Sequence, residues 1–194
     1  VSRVSDTPYI LRVATLSLVI RPATAADAAA IAWVHVETWR AAYDGILPRE
    51  FLAALSVPAA ESRWADRLAG DDPGTYVSGD PVDGFACAGP VRDADVPASY
   101  GEVYALYVHP TAQRAGAGAA LLAAAEGWLA GRGCRDAVLW TLTANAAGRA
   151  FYRARDWRED GTERTIDVGG TLADEVRFHK ELSGRPATQR AVGR

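Results

Sequence analysis

The chain has 194 residues, 49% of them apolar, and its 21 basic and 24 acidic side chains leave a net charge of −3. That length suits one domain around one substantial core. A charge balance this close to neutral lacks the basic footprint that nucleic acid or an anionic membrane requires, which leaves small-molecule or protein chemistry.

Residues 1–14 show no steady periodicity and read as an extension ahead of a single domain over 15–182. Arg12 and the run "VATLSLVI" resemble a short secretion signal, but Arg21 and Pro22 interrupt its boundary and cleavage there would remove a needed strand. No run reaches the roughly 18 apolar residues of a membrane span. "LSLVIR" over 16–21 predicts that first strand. Thr24 and Asp27 then predict a helix start, the hydroxyl accepting from a free backbone N–H and the carboxylate favouring the positive helix end. The inward stripe of this helix is Ala28, Ile31, Ala32, His35, Thr38 and Trp39. "YDGILP" ends it, and "PREFLAAL" with "PAAESRWADRLAG" predicts one or two further short helices before a turn over 70–74.

The pattern then takes the period of strands. "TYVS", "VDGFACAGPV" and "GEVYALYVH" predict three of them, joined by "GDP" and by a polar, exposed "RDADVPAS", short links that favour antiparallel neighbours. A helix from Ala117 to about Gly131 places Leu121, Leu122, Ala125, Trp128 and Leu129 on one face, with Gly131 and Gly133 as stop signals. "DAVLWTL" predicts a buried strand, "NAAGRAFYRARD" a helix, and "TERTIDVGG" with "DEVRFHKEL" a closing pair of strands. Residues 183–194, with Pro, Gly and scattered Arg, predict a disordered tail. The class is α/β, a mixed and mostly antiparallel sheet flanked by helices, and its exposed closing strands suggest a homodimer.

Between the third strand of that series and the long helix stands "VHPTAQRAGAGAALL". A strand-to-helix turn without side chains suits an anion, because the first helical N–H groups are unpaired and carry a partial positive charge. A nucleotide P-loop needs Gly-Lys-[Ser/Thr], whereas Gly118 is followed by Ala119 and Ala120. The dinucleotide fingerprint needs a third glycine at Leu121 and an early βαβ position, and has neither. By itself the hexapeptide is also compatible with a plain tight turn.

Together, "EVYALYVHPTAQRAGAGAALL" and "LWTLTANAAGRAFYRARDW" resemble the two main motifs of the GNAT superfamily of acyl-CoA-dependent N-acyltransferases. Gln113, Gly116 and Gly118 fall on the [Q/R]-x-x-G-x-[G/A] positions, and Asn145, Phe151 and Tyr152 on those of the second motif. "IAWVHVETWRAAYDGILP" is similar to the first helix of a common bacterial branch. The chain departs from the family at Arg155-Asp156-Trp157, where Leu-Gly-Phe is usual, and carries Gly148 inside the last helix. The resemblance implies acetyl-CoA as cosubstrate. The backbone from Gln113 through Arg114, Ala115, Gly116, Ala117 and Gly118 to Ala119 would hold its pyrophosphate, with Arg114 as a charge partner. The main chain of Leu106, Tyr107 and Val108 would pair with the pantetheine arm, as an added strand pairs with an open edge. Asn145 and Phe151 would also touch the cofactor.

Acetyl transfer to an amine sets further requirements. An alkylammonium of pKa near 10.4 is neutral at pH 7 in about one molecule in 2,500, equivalent to roughly 4.6 kcal/mol. Glu102, at the start of the strand leading to the turn, is the first candidate base; an exposed strand-end carboxylate is the other reading. His35 is the second candidate base, and with Trp39 and Tyr43 it is placed in the acceptor pocket. His109 and His179 read as structural. Tyr152 is the candidate acid, seven residues after Asn145 on the same helix face. For Asn145 itself, a helix cap is compatible with touching the cofactor. Cys87 and Cys134 have no metal-ligand spacing and no histidine nearby in sequence, so they read as reduced thiols in a cytosol rather than carriers of an acetyl group. The expected activity is acetyl transfer from acetyl-CoA to a primary amine of a small molecule or peptide by direct attack. A catalytically silent acyl-CoA-binding module is the alternative, and a longer acyl donor is a third option.

Overall fold

Arg21 and Asp27 fix the entry to the fold. In a computed structural model that describes residues 18–70 and 74–182, β1 (Ile20–Pro22) leads into a single 3-10 turn and then helix α1 (Ala28–Ala42). Asp27 accepts from the Thr24 backbone N–H at 2.8 Å and hydroxyl at 3.0 Å, while Arg21 grips both its oxygens at 2.7 Å. This pairing holds the Asp27 carboxyl down at about 2. The first strand is shorter than "LSLVIR" predicts: Leu18 and Val19 are exposed and precede it, and residues 16 and 17, the extension and the predicted tail lie outside the described residues.

The one or two short helices expected next are two, α2 (Arg49–Ala54) and α3 (Val57–Leu68). They are followed by β2 (Thr75–Ser78), β3 (Gly84–Pro90), β4 (Gly101–Val108), α4 (Ala117–Gly131), β5 (Asp136–Leu142), α5 (Ala146–Arg153), β6 (Arg158–Val168) and β7 (Thr171–Glu181). The seven strands form one sheet in the order β1-β2-β3-β4-β5-β7-β6, antiparallel except where β4 meets β5. Gly169 and Gly170, read from sequence as the end of a strand, instead form the two-residue turn of the β6–β7 hairpin, both at positive φ.

β3 is buried on both faces, as its near-continuous small and apolar sequence requires. Its alternate residues therefore supply two cores. Phe85 and Cys87 pack with Ile31, Val34 and Trp64 under α1 and α3, while Ala86 and Ala88 pack with Leu121, Leu122, Leu129, Trp157 and Phe178 on the α4 face. The free edge strand β6 carries a register irregularity between Glu159 and Glu163 and is lined with charge, features that discourage strand addition by a second copy. No helix among the described residues is long and apolar enough to cross a membrane.

The feature that positions the site is a divergence between β4 and β5. These strands are in register only from Gly101–Ala137 to Val103–Leu139. On its other side β4 carries an extra residue, Tyr104, between the pairs Cys87–Ala105 and Ala88–Val103. A bulge bends its strand, and from residue 104 onward β4 has no strand partner on the β5 side. The connection over 91–100 is exposed over most of its length, as its polarity predicts, but it is also strapped to the sheet. Asp93 accepts from the Trp140 indole at 2.8 Å and from Arg177 at 3.2 Å, and Arg177 also holds Asp95 and Asp160.

Candidate active site

Where β4 and β5 separate, a cleft of about 620 Å³ opens, lined by residues 103–108 of β4, the turn before α4, Trp140 and Thr141 of β5, and one face of α5. That volume is within the usual range for a ligand cavity. At one end lies the glycine turn. Arg114 and Gly116 both adopt left-handed backbone, at φ 66° and 93°. The first intrahelical bond runs from the Ala120 N–H to the Gly116 carbonyl at 3.1 Å. The N–H groups of Ala117, Gly118 and Ala119 therefore precede the helical ladder and point out of its end. A side chain at Gly118 would meet the Phe151 ring at 3.3 Å, so glycine here keeps the turn and α5 close together across the cleft.

Gln113 donates its side-chain amide to the Val108 carbonyl at 3.0 Å, tying strand end to turn, and Thr38 Oγ1 reaches the same carbonyl at 3.4 Å. That carbonyl is occupied within the chain, so the unpartnered stretch of main chain facing the cleft is Tyr104 to Tyr107, together with the remaining groups of Val108. Ala115 and Ala117 contribute backbone to the turn but no cleft-lining surface.

On the opposite wall Asn145 caps α5, accepting from the Gly148 N–H at 2.9 Å. A Cβ at Gly148 would lie 2.6 Å from the Asn145 side chain, so the glycine that weakens this helix is what admits its cap. The departure at Asp156 preserves the following turn. Asp156 takes the left-handed conformation at φ 64°, and Trp157 N–H to Tyr152 carbonyl at 3.2 Å and Asp156 N–H to Arg153 carbonyl at 3.3 Å close the helix end. Glycine avoids the strain of that conformation, so Asp156→Gly is expected to raise stability by about 1 kcal/mol, read as a melting temperature higher by about 2–4 °C.

Tyr152 lines the cleft and packs edge-on against Phe151 and Trp157; burial pushes its phenol above the ordinary tyrosine range, keeping it a protonated donor. Glu102 is buried, not an exposed strand-end carboxylate. Its oxygens accept from the Arg92 backbone N–H at 2.9 Å and from the Arg92 guanidinium. It lies at a smaller chamber of about 160 Å³ that shares Tyr43, Tyr107 and Trp140 with the main cleft.

The acceptor-pocket expectations divide. Tyr43 lines both spaces and Trp39 the chamber, whereas His35 lines neither. It stacks on Tyr107 at 5.2 Å, packs edge-on against Trp39, and accepts from the Trp64 indole at 3.3 Å. Burial pushes the imidazole down to about 4, so it is neutral at pH 7 and serves as packing. His109 stacks on Trp33 at 4.3 Å, and His179 bonds Asp136 at 2.8 Å. Cys87 and Cys134 are free thiols that line neither space, and burial raises both pKa values.

Sequence reasoning missed Arg155, which lies over the Phe151 ring at 3.7 Å on the cleft wall, its Nε buried without a partner. It also missed Arg92, Trp140, Arg164 and Glu175 around the chamber. The departure of Arg155 from the usual leucine was the one available signal.

Residues 29–157 match the profile of the Acetyltransferase (GNAT) family. The chain is 34% identical over 160 residues to the "uncharacterized N-acetyltransferase YuaI" of Bacillus subtilis, covering 81% of this chain and 89% of that protein. Among solved structures it resembles PaiA N-acetyltransferase from Thermoplasma acidophilum in complex with coenzyme A, with a TM-score of 0.70 at 18% identity over 86% of this chain and 99% of that one. It also resembles yncA from Salmonella typhimurium with acetyl-CoA, with a TM-score of 0.64 at 21% identity over 89% and 98%. With the family profile spanning the first helix, the splayed strands, the glycine turn and α5, the chain belongs to the GNAT family of acetyltransferases.

Proposed function

We propose that this protein transfers an acetyl group from acetyl-CoA to a primary amine of a small molecule or peptide by direct attack. The observation that carries the reading is the continuous cleft from the unpaired amides at Gly118 and Ala119, along the unpartnered side of β4, to the Tyr152 phenol. The turn amides and Arg114 suit a diphosphate, Arg155 offers a further cation on the facing wall, and the β4 edge suits an arm that carries amides. Bound there, acetyl-CoA supplies a thioester carbonyl as electrophile.

The amine must lose its proton before its nitrogen bonds to that carbon. Glu102 takes this proton through a water, held in place by Arg92. As the carbon–sulfur bond breaks, Tyr152 donates a hydrogen bond to the departing sulfur. With unperturbed groups, full proton transfer from phenol to thiolate is uphill by about 2 kcal/mol. Burial of Tyr152 makes it steeper, so the role is hydrogen-bond donation rather than complete transfer.

The hold of Arg92 on both Glu102 oxygens is what favours the second reading, a silent acyl-CoA-binding module. Free-thiol release from acetyl-CoA, measured against a broad amine panel, separates them. Acetyltransferase activity predicts thiol and acetylated amine in equal amounts; tight acetyl-CoA binding with no release on any amine supports the silent module.

A further inference from the structure

The acceptor side of the site has a composition that selects among amines. The chamber adjoining the cleft holds about 160 Å³ between the aromatic walls Trp39, Tyr43, Tyr107 and Trp140, with Glu102 and Glu175 at its margin. A cavity of about 150 Å³ accommodates a molecule the size of benzene, so the enclosed part of the acceptor is limited to a short chain or small ring.

Its own lining pairs two guanidiniums, Arg92 and Arg164, with two carboxylates, Glu102 and Glu175. The two arginines that reach the chamber are already engaged. Arg92 holds Glu102 and lies over the Tyr104 ring at 4.2 Å; Arg164 holds Glu175 and Asp93 and lies over the Trp140 ring at 3.9 Å. A carboxylate on the acceptor therefore meets only guanidiniums that already hold a carboxylate. A cation, by contrast, finds aromatic faces and carboxylates. Both bonds from Arg164 to Glu175 fall on Oε2, leaving Oε1 outside that pair.

The reacting nitrogen has to become neutral, so a charge interaction that lasts through the reaction must engage a second cationic group on the acceptor. We infer that the acceptor is a short diamine without a carboxylate, its non-reacting ammonium held by Glu175 and the chamber's aromatic walls. This inference rests on the acetyltransferase reading and names the substrate class of that same site.

The test compares 1,4-diaminobutane, butylamine and 4-aminobutanoate, equal in carbon chain and differing only in the far group, as acceptors for the full chain with saturating acetyl-CoA. The diamine is expected to exceed butylamine in kcat/KM by about tenfold, and 4-aminobutanoate to fall below both. Glu175→Gln is expected to shrink the diamine-to-monoamine ratio about tenfold while acetyl-CoA binding, followed by calorimetry, persists. The inference is overturned by 4-aminobutanoate matching or exceeding the diamine, by a ratio unmoved in Glu175→Gln, or by no turnover of any of the three. Those outcomes leave the acetyltransferase reading standing wherever the broader panel yields an acetylated product.

Discussion

Replacing Gly118 with valine is expected to weaken acetyl-CoA binding by at least about 100-fold, close to 3 kcal/mol, with little change in melting temperature. A Cβ at this position already lies 3.3 and 3.4 Å from the Phe151 ring and 3.7 Å from the Val108 side chain. The two further methyl groups of valine extend into the gap between strand end and α5 and cover the amides of the first helical turn. The fold bears this better than the site does, because a non-glycine residue in a helix recovers a few tenths of a kcal/mol of propensity. Gly127→Val, in the same helix where an added Cβ meets nothing within 4 Å, is the control and should bind acetyl-CoA as the parent does. Gly118→Ala, with a single contact to relieve, should fall between. Calorimetric titration of the three variants gives the order directly, and equal affinities across the series contradict the placement of the cofactor at this turn.

The second large effect is expected at Tyr152. Tyr152→Phe removes one hydroxyl from a ring that packs against Phe151, Trp157 and Phe178, so the packing survives and the hydrogen bond to the leaving sulfur does not. A fall in kcat of about 100-fold, the low end for a lost proton-donating group, should accompany an acetyl-CoA dissociation constant within about threefold of the parent. Steady-state kinetics beside calorimetry read the two quantities separately. An unchanged kcat removes Tyr152 from the chemistry, and a parallel loss of binding makes it a cofactor contact instead.

What the sequence disclosed and what it withheld follow from how local each feature is. The glycine turn, the Asn145 cap and the Thr24–Asp27 helix start are built from residues within six positions of one another, and backbone geometry dictates their residue types. The strap over the sheet is built otherwise: Asp93 meets Trp140 across 47 positions and Arg177 across 84. Nothing in "RDADVPAS" announces those partners. Likewise, Glu102 is visible as a strand-end carboxylate, but its burial under Arg92 depends on where that strap folds back.

His35 shows a subtler limit. Helical periodicity correctly places it on the inward face of α1, yet that face serves two destinations. Ile31 and His35 sit behind Phe85 and Tyr107 in the core under α3, whereas Thr38, and Tyr43 beyond the helix end, reach the cleft. Periodicity gives the face and not what lies opposite. Gly169 and Gly170 read in sequence as the end of a strand, whereas β6 stops at Val168 and β7 starts at Thr171, ahead of the segment the pattern predicts. Asp156 shows that a family's glycine position can be filled by a residue whose short polar side chain tolerates the left-handed region.

The account depends most on the backbone N–H groups between Arg114 and Ala119 receiving the cofactor's diphosphate. Their amide resonances in a nitrogen-15 correlation spectrum, followed during titration with coenzyme A, test this with no reliance on an acceptor. Downfield proton shifts concentrated at Gly116, Gly118 and Ala119, saturating together with the calorimetric binding curve, are the predicted result. Saturable binding that leaves those resonances in place while others move would contradict it.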